Sequence, residues 1–102
     1  DYGIICICKN LEECFDLANK IAPEHLELMI KDSEKYLDMV RHAGAIFLGH
    51  NTPEAIGDYV AGPNHTLPTG GTAKFYSPLG VENFMKKTSI VYFSNKLFFR
   101  II

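Results

Sequence analysis

The sequence predicts an α/β domain with a mostly parallel sheet flanked by helices, and three observations lead to this prediction. Short apolar runs that suit buried strands recur along the chain. Helix signals, with capping residues followed by apolar residues at helical spacing, lie between these runs. The chain of 102 residues also has room for one domain of this kind. Strands that alternate with helices at this spacing are typical of parallel sheets.

The first strand and the first helix are predicted near the start of the chain. YGIICIC at residues 2–8 is a continuous apolar run, typical of a strand that is covered on both faces. Asn10 can cap the following helix, and Glu13 stands where a capping box needs an acid. We expect the helix to end near Ile21, because Pro23 follows and disfavours helical backbone before it.

A second strand and a second helix follow. Residues 26–30 form a short apolar segment that predicts a strand. Asp32 or Ser33 then starts a helix, which Gly44 is expected to close as a C-terminal cap. AIFL at residues 45–48 predicts a third short buried strand.

The second half of the chain is dominated by a long loop. Residues 52–54, with a hydroxyl, a proline and an acid, are a strong helix start. The glycine- and proline-rich stretch at 57–80 has neither helical nor strand periodicity, and it predicts an ordered binding loop. A helix over 81–87 and a fourth strand over 89–93 complete the prediction.

Composition excludes several classes of function. The net charge is -2, so the chain offers no basic surface for nucleic acid. No apolar run approaches the roughly 20 residues that span a membrane, and the first residues do not resemble a signal peptide. We therefore expect a cytoplasmic protein with neither a nucleic-acid partner nor a membrane span.

Cysteine use and the chain ends lead to two further expectations. Cys6, Cys8 and Cys14 are an odd number of cysteines at a spacing that poorly fits zinc, so we expect buried, reduced thiols. The chain begins at Asp1, directly before a predicted strand, and finishes in the apolar run LFFRII. Apolar surface of this kind is ordinarily buried, so we expect a piece of a longer polypeptide.

Two polar clusters could carry chemistry. The first is Glu24 and His25, which could be an acid/base pair or a solvated turn after Pro23. The second is Asp58 with His65 and its neighbour Asn64, which could bind a metal or a polar ligand, or could only stabilise local turns.

Long stretches of the chain resemble the histidinol dehydrogenase family. The similar stretches run from about residue 3 to about residue 94: APEHLEL at 22–28, GAIFLG at 44–49, TPEAIGDYVAGPNHTLPT at 52–69 and GTAKFYSPLGVENFMKKTSIV at 71–91. The fold expected from this resemblance is an incomplete Rossmann-like domain. It would comprise residues 1–94 as part of the catalytic domain, with 95–102 as a non-matching apolar tail.

The resemblance implies an activity and a set of roles. The family implies a cytoplasmic, zinc-dependent homodimer that oxidises L-histidinol to L-histidine through L-histidinaldehyde, with two NAD+ used in succession, in histidine biosynthesis. Glu24 would activate the water that attacks the aldehyde, and His25 would take the proton from the alcohol and contact the substrate. Asp58 would bind both zinc and substrate, and His65 would line the same pocket.

The family's zinc site also takes a Gln and a His from an upstream segment and a His from a C-terminal tail, and this chain contains no Gln. The NAD-contacting region is likewise upstream, so the full zinc and NAD sites are not expected here and the chain alone should be inactive. One alternative is a degenerate stand-alone module that binds a small molecule or dimerises without turnover, and another is a small structural α/β domain. If the assigned roles are correct, the four site residues should lie within roughly 10 Å of one another, the scale of a small-ligand site.

Overall fold

The structure, a computed structural model, describes residues 2–94. Its helices and strands are α1 (Leu11–Ile21), β1 (His25–Leu28), β2 (Ala45–Leu48) and α2 (Ala55–Tyr59), with 3₁₀ helices at Ser33–Met39, Thr72–Lys74 and Val81–Phe84. β1 and β2 pair in parallel, which confirms the predicted α/β class and the two strands expected near residues 26–30 and 45–48.

The parallel pair is the centre of the fold. His25 is opposite Ala45 and Leu28 is opposite Leu48. The hydrogen bonding extends beyond the strands, because the N–H of Gly44 donates to the carbonyl of Pro23 at 2.9 Å. This ladder fixes the backbone of residues 23–28 against that of 44–49.

Helix α1 begins and ends where the sequence predicts. The side chain of Asn10 accepts a hydrogen bond from the N–H of Glu13 at 2.9 Å, and Ala22 closes the helix with a left-handed φ of 51°. The expected capping box differs in one contact. The carboxylate of Glu13 accepts from the N–H of Lys9 at 2.7 Å, one residue before the cap itself.

Asn19 fastens α1 to the segment that leads into β2. Its side-chain carbonyl accepts from the N–H groups of Arg41 and His42 at 2.7 and 3.2 Å, and its amide donates to the carbonyl of Met39 at 2.8 Å. Beside this anchor, Phe15 of α1 stacks on Tyr36 with 5.8 Å between ring centroids. Within residues 2–94, the buried hydrophobic side chains include Phe15, Ala22, Leu28, Phe47 and Ala73.

Two predicted strands are wrong. Residues 2–8 and 89–93 are in neither a strand nor a helix, and Ile7 is 97% exposed. A strand needs a neighbouring strand to receive its backbone hydrogen bonds. Within residues 2–94, the sheet consists of β1 and β2, and neither predicted segment pairs with an edge of it.

The predicted burial of the cysteines is also wrong. Cys6 and Cys14 are exposed and Cys8 is half-buried, although all three are free thiols. A hydrogen bond with the side chain of Cys14, assisted by desolvation, raises the pKa of the Cys8 thiol.

Three predicted helices take other forms. The second is a 3₁₀ helix that ends at Met39 rather than at Gly44, and Asp32 has a left-handed φ of 54° and makes no side-chain cap. The helix expected from residue 52 begins at Ala55, after Glu54. The helix expected over 81–87 is a 3₁₀ turn whose Phe84 is 80% exposed, so no apolar surface stabilises a longer helix there.

Much apolar surface is uncovered in the described residues. The radius of gyration is 20.3 Å, whereas a compact domain of this length has about 13 Å. The exposed apolar side chains include Tyr2, Ile4, Ile5, Tyr59, Val60, Phe75, Val81, Ile90 and Val91. No helix in this part of the chain is both long enough and apolar enough to cross a membrane. The predicted tail at 95–102 lies outside the described residues.

Candidate active site

A cavity of about 150 Å³ lies between the sheet, helix α2 and the loop that follows α2. Its polar lining includes His25 of β1, Asp58 of α2 and His65 of the loop. The remaining lining comes from the same elements: Ala45, Ile46, Phe47, Thr52, Ile56, Gly57, Ala61, Pro63, Asn64 and Leu67. Two imidazoles and a carboxylate therefore line the same mostly apolar cavity, which is the usual composition of a small-molecule site.

The parallel sheet holds the backbone of His25. It is the first residue of β1 and pairs with Ala45 of β2. Its ring packs at a tilt of 40° against Phe47, with 5.9 Å between centroids, and 31% of its side chain is accessible to solvent. The imidazole is thus oriented by its neighbours and still reachable by a ligand.

Glu54 stands beside His25, and the sequence analysis missed this contact. Oε1 of Glu54 lies 3.4 Å from Nε2 of His25. The N–H of Glu54 donates to Oε1 of Glu27 at 3.0 Å, which attaches the start of α2 to β1. The sequence offered only a helix-start signal at this residue, because the contact depends on how α2 lies across the sheet.

Helix α2 and the following loop bring Asp58 and His65 to the cavity. Gly57 lets α2 approach the sheet, because a Cβ at this position would lie 3.1 Å from two ring atoms of Phe47. In the loop, Oδ1 of Asn64 accepts from the N–H of Thr66 at 2.7 Å. This side-chain turn encloses His65 and shapes the loop around it.

Glu24 is not among the residues that line the cavity. Its carbonyl accepts from the N–H of Ala45 at 2.8 Å, so its backbone takes part in the parallel ladder. The cavity lining thus includes His25, Asp58 and His65 of the four predicted site residues, and it does not include Glu24. The roles given to these four residues stay predictions.

The described residues do not by themselves fit a zinc site. Among residues 2–94 no group of three or more His, Cys, Asp or Glu side chains is arranged to hold a metal ion. A protein zinc site takes at least three ligands from the protein. Asp58 remains one candidate ligand.

The fold and the cavity together define an α/β domain with a candidate small-molecule site. A family model described as histidinol dehydrogenase matches residues 1–101. The chain belongs to the histidinol dehydrogenase family.

The chain is similar to histidinol dehydrogenases from several bacteria. It is 67% identical over 94 residues to the protein of Sulfurimonas denitrificans and 63% identical over 94 residues to that of Wolinella succinogenes, which in both cases is 92% of this chain and 22% of the relative. A crystal structure of histidinol dehydrogenase from Elizabethkingia anophelis superposes with a TM-score of 0.78 at 44% identity, covering 80% of this chain and 19% of that one. The chain thus spans about 22% of the length of the curated relatives it matches.

Proposed function

We propose that this chain is part of the catalytic domain of a histidinol dehydrogenase, an oxidoreductase that converts L-histidinol to L-histidine through L-histidinaldehyde in histidine biosynthesis. Membership of the family supports the reaction. The observation that carries the proposal for this segment is the cavity in which His25, Asp58 and His65 converge. Since the chain corresponds to 22% of its relatives, the rest of the site belongs to other segments of the longer enzyme.

His25 takes the proton from the alcohol of L-histidinol. Imidazole is suited to this role because it exchanges a proton near neutral pH. The partly accessible ring of His25, held between β2 and α2, supports the assignment. Glu24 activates the water that attacks the aldehyde, and this role rests on the resemblance of Pro23-Glu24-His25 to the family's motif.

Asp58 and His65 bind the substrate from the other side of the cavity. Their presence in the lining of the same cavity as His25, on α2 and the following loop, supports this assignment. Asp58 also serves as one zinc ligand in the longer enzyme, and the other ligands come from residues outside this chain. NAD would be the hydride acceptor in the whole enzyme. The residues that bind it belong to other segments.

The longer enzyme covers the apolar surface that residues 2–94 leave exposed. Ile4, Ile5 and Ile7 are each at least 85% exposed, and burial of such side chains stabilises a fold by about 1.5–3 kcal/mol each. The cytoplasmic, homodimeric state implied by the resemblance belongs to this same longer enzyme. The isolated chain is accordingly inactive.

A chimera tests the proposal directly. The matching 94-residue segment of the Sulfurimonas denitrificans relative is replaced by the segment of this chain that is 67% identical to it. We expect the purified chimera to reduce NAD+ when L-histidinol is added, with the unmodified relative as the reference. The measurement is the absorbance of NADH under saturating substrate.

A folded chimera without turnover would contradict the proposal. Thermal unfolding and gel filtration, compared with the unmodified relative, establish whether the chimera is folded. If the folded, inactive chimera still binds L-histidinol saturably, the alternative of a binding module without turnover is the better description.

A further inference from the structure

We propose that Glu54, held in place by Glu27, is a positioning residue for the imidazole of His25. The inference rests on the proposed function for the role of His25, and it adds a residue to which neither the sequence motifs nor the family resemblance gave a role. The observation is a chain of contacts that joins β1 twice to the start of α2.

The first contact follows from strand geometry. His25 and Glu27 are two residues apart on β1, so their side chains project from the same face of the sheet. Glu54 lies over this face and meets both of them. Its carboxylate is 3.4 Å from Nε2 of His25, and its N–H donates to the carboxylate of Glu27 at 3.0 Å.

The backbone of Glu54 is fixed on both sides. Its N–H is bound by Glu27, and its carbonyl accepts from the N–H of Gly57 at 2.9 Å in the first turn of α2. The preceding Pro53 has a restricted φ and accepts from the N–H of Ile56 at 3.1 Å. Because of these bonds, only the side-chain torsions of Glu54 can change much. Its carboxylate is therefore restricted to a small range of positions beside His25.

The carboxylate has two effects on His25. It limits rotation of the ring, which also packs against Phe47 at a tilt. It also offsets the positive charge that the imidazole acquires when it takes a proton from the alcohol. Because 41% of the Glu54 side chain is exposed, solvent screens the charge effect, and orientation is the main contribution.

Variants of the chimera test the role. Glu54→Ala removes the carboxylate but keeps the backbone N–H that binds Glu27. We expect kcat for L-histidinol oxidation to fall about tenfold or more, a part of the roughly 10²- to 10⁴-fold effect of a positioned acid or base, with KM changed less than about twofold. Glu54→Gln keeps an acceptor oxygen at the same reach, so we expect it to recover most of kcat, to within about threefold of the unmodified chimera.

A second variant tests the role even if Glu54→Ala impairs folding. Glu27→Ala leaves Glu54 intact and removes only its anchor, so we expect a smaller loss of kcat, also with little change in KM. Glu34→Ala, an exposed glutamate of the 3₁₀ helix at Ser33–Met39, is the matched control, and we expect unchanged kcat.

The experiment distinguishes failure of the positioning role from failure of the proposed function. An active chimera whose Glu54→Ala and Glu27→Ala variants keep kcat within about twofold overturns the positioning role alone. An inactive unmodified chimera overturns the proposed function, and the positioning role falls with it. A role of Glu54 limited to folding would lower the unfolding temperature of Glu54→Ala and Glu54→Gln alike without a selective effect on kcat.

Discussion

Substitution of His25 by asparagine in the chimera is expected to lower kcat by roughly 10²- to 10⁴-fold, the contribution of a positioned general acid or base. Asparagine keeps a polar side chain of moderate size but cannot take up a proton near neutral pH. The fold should survive, because the backbone hydrogen bonds of β1 do not depend on the side chain. The measurement is NADH formation at saturating L-histidinol, together with the unfolding temperature of the variant.

His50→Asn is the matched control for this prediction. His50 is exposed, follows β2 and does not line the cavity. We expect its kcat to equal that of the unmodified chimera. Equal activities of the His25 and His50 variants would contradict the role of His25 as the proton acceptor.

Substitution of Gly44 by alanine is expected to destabilise the chimera by about 1–3 kcal/mol, the usual cost of forcing extra atoms into a filled space. A Cβ at this position would lie 2.5 Å from the carbonyl oxygen of Glu24 and 3.3 Å from its carbonyl carbon and Cα. These are backbone atoms, so relief requires the strands to separate at the point where Ala45 donates to Glu24. The shift would move His25, so kcat should fall together with the unfolding temperature.

Gly80→Ala provides the comparison. There the atom nearest to a new Cβ belongs to the carboxylate of Glu82, at the end of a flexible side chain that can move away. We expect the unfolding temperature of this variant to remain close to that of the unmodified chimera. An equal loss of stability in both variants would show that close approach of the two strands at Gly44 is not what requires glycine.

Helix α1 is predicted correctly because its signals are local. Asn10 caps α1 and Ala22 ends it, and both follow from residues within the helix or beside it. The 45–48 run forms β2 as expected. The strands expected at 2–8 and 89–93 are wrong because their formation requires a partner strand, which their own residues do not specify.

The residues of the candidate site also differ in how far the sequence predicts them. His25, Asp58 and His65 stand out as polar residues in unusual motifs, and they line one cavity. Glu54 was visible only as a helix-start residue, because its distance to His25 depends on the packing of α2 against β1. Glu24 shows the opposite case, because it is adjacent to His25 in the sequence but does not line the cavity.

The central claim is that the cavity between the sheet, α2 and the loop is where the substrate binds. A crystal structure of the chimera with L-histidinol tests it most directly. We expect the hydroxyl-bearing carbon of the substrate to lie beside the imidazole of His25, with Asp58 and His65 in contact with the same molecule. L-Histidinol bound elsewhere, with this cavity empty, would contradict the account.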